Sequence, residues 1–149
     1  MKHSLKFYLI GTSKLNKHMF SNIRTSLANK EIVTTLTNKL GLGTENIISR
    51  IAFAYSLSQE RKLEIKNIRD SKGKEYNAKV LFGEYTDYYV ALIALQYEIY
   101  ATDKDIARYV KMHVDDGLEL LNVEFETNLN TTGFEFIASK IDASLFERI

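Results

Sequence analysis

From Phe20 to Ser58 the chain reads FSNIRTSLANKEIVTTLTNKLGLGTENIISRIAFAYSLS. Between Ser21 and Leu27, the small or polar Asn22, Arg24 and Ser26 alternate with a set containing Ile23 and Leu27, the period-two mark of a half-exposed strand. The period then changes. Ile32, Val33, Leu36 and Leu40 recur at helical spacing over Lys30–Leu40, with Asn29 or Ser26 available to cap the start. Gly41 stands where a left-handed stop is expected. Thr44 caps a second helix, along which Ile47, Ile48, Ile51, Ala52 and Tyr55 line one face. A strand and two helices in about 40 residues cannot bury their own apolar faces, so the segment needs the rest of this chain or a partner.

Ahead of this segment, residues 1–19 form a basic arm whose Leu5, Phe7, Leu9 and Ile10 alternate with Lys6 and Tyr8. Behind it, Leu63, Ile65 and Ile68 are spaced as in an extended segment. Asp70-Ser71-Lys72-Gly73-Lys74-Glu75 is a turn signal, and Tyr76–Phe82 is the expected returning strand of a short β-hairpin. Gly83 to Asp87 breaks the pattern, with Thr86 or Asp87 capping a third helix over Tyr88–Tyr100. That helix is apolar on nearly every side, which marks a central core helix or an oligomer interface. Thr102 caps a fourth, Asp103–Leu121, with Ile106, Tyr109, Val110, His113, Val114 and Leu118 at three-to-four spacing. Residues 122–149 carry weaker signals, and Phe134, Phe136 and Ile137 suggest a short element docked on the core. The reading is a mainly α single domain, 1–149.

The 149 residues and 45% hydrophobic content allow one domain with a real core. The chain has no cysteine, which excludes disulfides, thiolate metal sites and a cysteine nucleophile. It also has no proline, which suits helices. No apolar run reaches the length of a membrane span, so the expected location is the cytoplasm. Net charge is only +1, but it is unevenly spread. Residues 1–30 carry Lys2, Lys6, Lys14, Lys17, Arg24 and Lys30 and no acid, while residues 100–149 are acidic on balance. A basic N-terminal arm leading into a strand is the layout a phosphate-binding surface needs, and equally that of a solvated tail.

Gly41-Leu42-Gly43 lacks the rest of any phosphate-binding loop, and ending one helix and starting the next explains it. His113-Val114-Asp115-Asp116-Gly117 contains residue types able to ligate a metal or move protons. Consecutive helix positions point in different directions, however, which favours a satisfied, partly buried histidine. No catalytic residue, metal site or cofactor is assigned. The basic side chains around the opening stretch are the better signal. Arg24 and Asn22 project from one strand face, Lys30 starts the first helix, Lys39 stands near its end and Arg50 lies on the second. Strand ribbons can read base edges, and lysines and helix N-termini can hold phosphates.

The order strand–helix–helix resembles the ribbon-helix-helix DNA-binding proteins, whose strands pair between chains. More specifically, three runs resemble DndE, the small subunit of the bacterial DNA phosphorothioation system. They are Ile23-Arg24-Thr25-Ser26, the stretch Leu40 to Ala52, and Ser56-Leu57-Ser58. Ser71 to Asn77, Leu81-Phe82-Gly83 and His113 to Gly117 fit the same pattern. The resemblance covers residues 20–121 and leaves 1–19 and 122–149 outside it. It implies an accessory, non-enzymatic protein of the machinery that puts sulfur into the DNA backbone. It also implies a compact helical homotetramer whose surface lysines favour nicked duplex DNA, beside sulfurtransferase-like and ATPase-like subunits.

The expected function is therefore a DNA-binding, assembly-forming subunit that contacts phosphates through Lys14, Lys17, Arg24, Lys30, Lys39 and Arg50. Two rivals stand beside it. One is a DNA-nicking endonuclease binding a divalent metal through Asp115, Asp116 and Glu119. The other is a ribbon-helix-helix repressor.

Overall fold

The alternation of the opening stretch is short: Ile23 is buried, but Leu27, the other apolar residue of the set, is 54% exposed. In a computed structural model, which describes residues 20–128 and 131–146, strand β1 spans Asn22–Arg24 and pairs antiparallel with β2, Glu75–Asn77. The register sets Ile23 opposite Tyr76 and Arg24 opposite Glu75. Ile23 and Tyr76 are buried, while Asn22, Arg24 and Glu75 face out.

Two expectations are corrected here. The residues expected to pair with the returning strand form a 3-10 turn at Ile65–Asn67 instead. β2 is three residues long and its partner is β1, while Ala78–Phe82 closes into the short helix α3. Asn77 explains the switch, since its side chain accepts the Val80 N–H at 2.8 Å and starts a helix. The ribbon-helix-helix likeness is accordingly limited to the order of elements, because β1 finds its partner within the chain.

Helix α1 spans Leu27–Leu40 and α2 spans Glu45–Ser58. Gly41 ends α1 in the left-handed conformation, φ 63°, with its N–H on the Thr37 carbonyl. Thr44 is the N-cap residue of α2, as the sequence indicates. α1 begins three residues before the expected Lys30, because distant carboxylates hold its first N–H groups, as described below. Helix α4 spans Thr86–Tyr97 and buries Thr86, Val90, Ile93 and Ala94. It stops at Glu98 (φ 55°), where Ile99 N–H returns to the Ala94 carbonyl.

The longest element, α5 (Ile106–Glu126), is the axis on which the others pack. Its contact with α2 is close because Gly117 lies against the Ala52 carbonyl. A Cβ there would stand 1.8 Å from that oxygen. Phe53 links the layers, edge-on to Phe82, Tyr89 and His113. Beyond the expected end of the helical core, α6 spans Gly133–Phe146 and presses Phe136 edge-to-face on Phe125. No described helix is long and apolar enough to cross a membrane.

Candidate nucleic-acid interface

The acids of α5, Asp115, Asp116 and Glu119, line one open cavity of about 340 Å³ together with Lys62 and Arg69. Asp115 is 5% exposed and is held from several sides. Lys111 Nζ lies 2.7 Å from its Oδ2, Ser26 N–H donates to Oδ1 at 3.0 Å, and Asn29 Nδ2 donates to Oδ1 at 2.7 Å. Both members of the Lys111–Asp115 pair are buried. A pair taken out of water needs such added donors to hold its charge. Asp70 caps the same helix start from the other side, accepting Leu27 N–H at 2.9 Å and Lys72 N–H at 3.0 Å. These bonds hold its carboxyl below the usual range. Two carboxylates thus occupy the positive end of α1. That end is closed to a phosphate.

His113 is fully buried and sits in an ordered chain of hydrogen bonds. Ser56 Oγ donates to Asp116 Oδ2 at 2.5 Å and is 2.8 Å from His113 Nδ1. Having spent its proton, Ser56 accepts from His113 Nδ1–H. Nε2 is therefore bare and accepts the Tyr97 hydroxyl at 2.7 Å, while Tyr97 itself accepts Leu63 N–H at 2.9 Å. Asp116 closes the chain on Arg61 at 2.7 Å. Burial lowers the His113 pKa from 6.5 to about 4, outweighing the opposing pull of Asp116. A nucleophilic serine would need histidine as its proton acceptor. Here the serine proton goes to aspartate and the serine is 1% exposed, so the cluster is a structural bracket. It joins α2, α4, α5 and the loop at Leu63. The remaining acid, Glu119, is paired with Arg69.

Several basic side chains stand on the outer side of the first half of α1. Arg24 faces out from β1 in an exposed pair with Glu75 at 2.7 Å. Lys30 and Lys74 border an open groove that Glu31, Thr34 and Thr35 also line. Lys74 reaches Glu45 at 3.2 Å, and Lys30 has no ion-pair partner among the described residues. The loop carrying Lys72 and Lys74 is pinned beside this groove. Gly73 N–H donates to the Thr25 carbonyl at 2.8 Å and Lys74 N–H to Thr25 Oγ1 at 2.9 Å. Only glycine fits at 73, since a Cβ would stand 2.2 Å from the Ser26 carbonyl oxygen.

The structure therefore brings Lys30 and Lys74 to one groove, with Arg24 on β1 opposite Glu75, the neighbour of Lys74, and Lys72 in the same pinned loop; the sequence presents Lys72 and Lys74 only as turn residues. Lys39 is exposed in the last turn of α1. It is nine positions beyond Lys30, about 13 Å along the helix and roughly half a turn around it, hence on another face. Arg50 donates to the Leu81 carbonyl at 2.6 Å and so closes the end of α3. Lys14 and Lys17 lie outside the described residues.

A mainly helical domain with a two-stranded sheet, a buried polar centre and basic side chains along its outer edge is the class these features define. The family model described as DNA sulphur modification protein DndE matches residues 22–129, and the chain belongs to the DndE family. It is similar in fold to the crystal structure of DndE from Escherichia coli B7A, described as involved in DNA phosphorothioation modification. The TM-score is 0.57 at 20% identity, over 69% of this chain and 98% of that one. Among curated proteins none matches the chain.

Proposed function

We propose that this protein is a non-enzymatic, DNA-binding accessory subunit of the DNA sulphur modification machinery, working in the cytoplasm beside its sulfurtransferase-like and ATPase-like subunits. The observation that supports this reading is the edge formed by Arg24, Lys30, Lys72 and Lys74 around the start of α1. Lysines with hydroxyls between them suit a phosphodiester backbone and read no particular sequence. Arg24 and Lys74 join it by exchanging solvent-accessible ion pairs of small worth. Titrating labelled nicked and intact duplexes at several salt concentrations tests this. Affinity falls steeply with salt if phosphate contacts carry it. A salt-independent affinity contradicts the reading.

The non-enzymatic part rests on the engagement of Asp115, Asp116 and Glu119 by Lys111, Arg61 and Arg69. Supercoiled plasmid incubated with the protein and Mg²⁺ or Mn²⁺ stays supercoiled. Nicking lost in Asp116→Ala would establish an enzyme instead. Assembly into a homo-oligomer is supported by the outer face of α3 and α4, where Val80, Tyr85, Tyr88 and Leu95 are 45–65% exposed. Light scattering gives a multiple of the 17.1 kDa chain mass. A monomer at micromolar concentration contradicts that part.

A further inference from the structure

The groove beside α1 holds an apolar side chain that phosphate binding does not explain. Leu27, the first residue of α1, is exposed and lines it together with Lys30, Glu31 and Lys74. Its place is set by a fixed frame. Leu27 N–H is held by Asp70 Oδ1 at 2.9 Å, and the Ser26 N–H before it by Asp115 Oδ1 at 3.0 Å. The Thr25 carbonyl accepts Gly73 N–H at 2.8 Å. With three consecutive residues pinned, the Leu27 side chain stays on the groove side. Lys30 follows three positions later, on the same side of the helix. Ala28, also exposed, extends the apolar surface along the wall.

An oxygen-only phosphate needs cations and hydrogen-bond donors, and a leucine offers it nothing. A phosphate in which sulfur replaces one non-bridging oxygen keeps its single negative charge and gains a softer side. Sulfur is polarisable and a weak hydrogen-bond acceptor. That side gives up less on leaving water and gains more against an alkyl surface. Two lysines against Glu31 leave the lining with one positive charge, the match of one such linkage. We propose that this groove binds a phosphorothioate linkage in DNA, with Lys30 and Lys74 holding its charge and Leu27 lying against the sulfur. The proposal rests on the DNA-binding reading above and adds the ligand, the sulfur-bearing backbone in preference to the ordinary one.

Anisotropy titrations of the full chain compare three duplexes of one sequence. One is all-oxygen, and two carry a single central phosphorothioate, one in each configuration at phosphorus. One sulfur diastereomer binds about fivefold tighter than the all-oxygen duplex, the gain expected from partly burying a leucine. Leu27→Ser removes that preference, while its affinity for the all-oxygen duplex and its salt slope stay those of the parent. Leu27→Met keeps the preference. Circular dichroism checks the fold of each variant, and Leu27→Ala replaces Leu27→Ser should that one melt. Equal binding of the three duplexes by the parent, or a preference that survives Leu27→Ser, overturns the proposal and leaves the DNA-binding reading standing. Failure to bind any of the three overturns that reading and the proposal with it.

Discussion

The two ends of the Ser26–Asn29 turn differ in what their charges are for. On the inner side, Lys111 and Asn29 both donate to the Asp115 carboxylate in a buried set. On the outer side, Lys30 and Lys74 stand around an open groove, and Arg24 and Lys74 hold only solvent-accessible partners. A buried charge must be fully paired to exist, so a cluster of acids and a histidine inside a helical core reads as scaffold. A cation on the surface is already solvated, and a phosphate displaces little to reach it. The difference separates residues that hold the fold from residues left free to act.

The comparison is broken most severely from the inside. Asp115→Ala leaves Lys111 buried without a counter-charge and the Ser26 N–H without an acceptor. Breaking a buried pair in this way costs on the order of 3–5 kcal/mol. Urea unfolding checks it, and a loss within the error of a surface substitution shows that the pair is not the scaffold described. Next comes the proton. A histidine whose folded pKa lies near 4 against 6.5 ordinarily binds its proton first in the unfolded chain. Stability is therefore whole above pH 6.5 and declines as pH falls towards 4. At about 1.4 kcal/mol per unit the loss is roughly 3 kcal/mol. Melting at intervals from pH 7 to 4 measures the slope, and His113→Leu removes it. Gly117→Ala wedges α5 from α2 and costs about 1–3 kcal/mol, or more if Ala52 cannot move. Outside, Lys30→Ala or Lys74→Ala leaves stability within about 0.5 kcal/mol and lowers the salt slope of DNA binding by about one unit.

The helices α1, α2 and α5 were legible because their apolar positions recur at helical spacing, and Gly41 and Thr44 mark the break between the first two. The expected hairpin does not form because Tyr76 to Phe82 is apolar enough for either state, and the decision falls to one Asn77 side-chain bond. The α6 start carried a signal, Thr132-Gly133-Phe134-Glu135, the spacing of a capping box. Arg24 and Lys30 stand out in the sequence because they belong to one local segment. Lys74 does not, because Thr25 and Gly73 meet only through the fold. Arg50 looked as available as Lys30, and nothing local shows that the Leu81 carbonyl would take it.

The central claim is that DNA meets the outer edge and nothing else on the described surface. It is tested most directly by comparing the salt slopes of two multiple variants in anisotropy titrations of a nicked duplex. One carries Arg24→Ala, Lys30→Ala, Lys72→Ala and Lys74→Ala. The other carries Lys39→Ala, Lys62→Ala, Lys79→Ala and Lys104→Ala, all at exposed positions elsewhere. The account predicts that the edge variant stays folded and loses about three to four units of slope, while the second variant loses less than one. An edge variant that binds like the parent, or a second variant that loses as much, would contradict it.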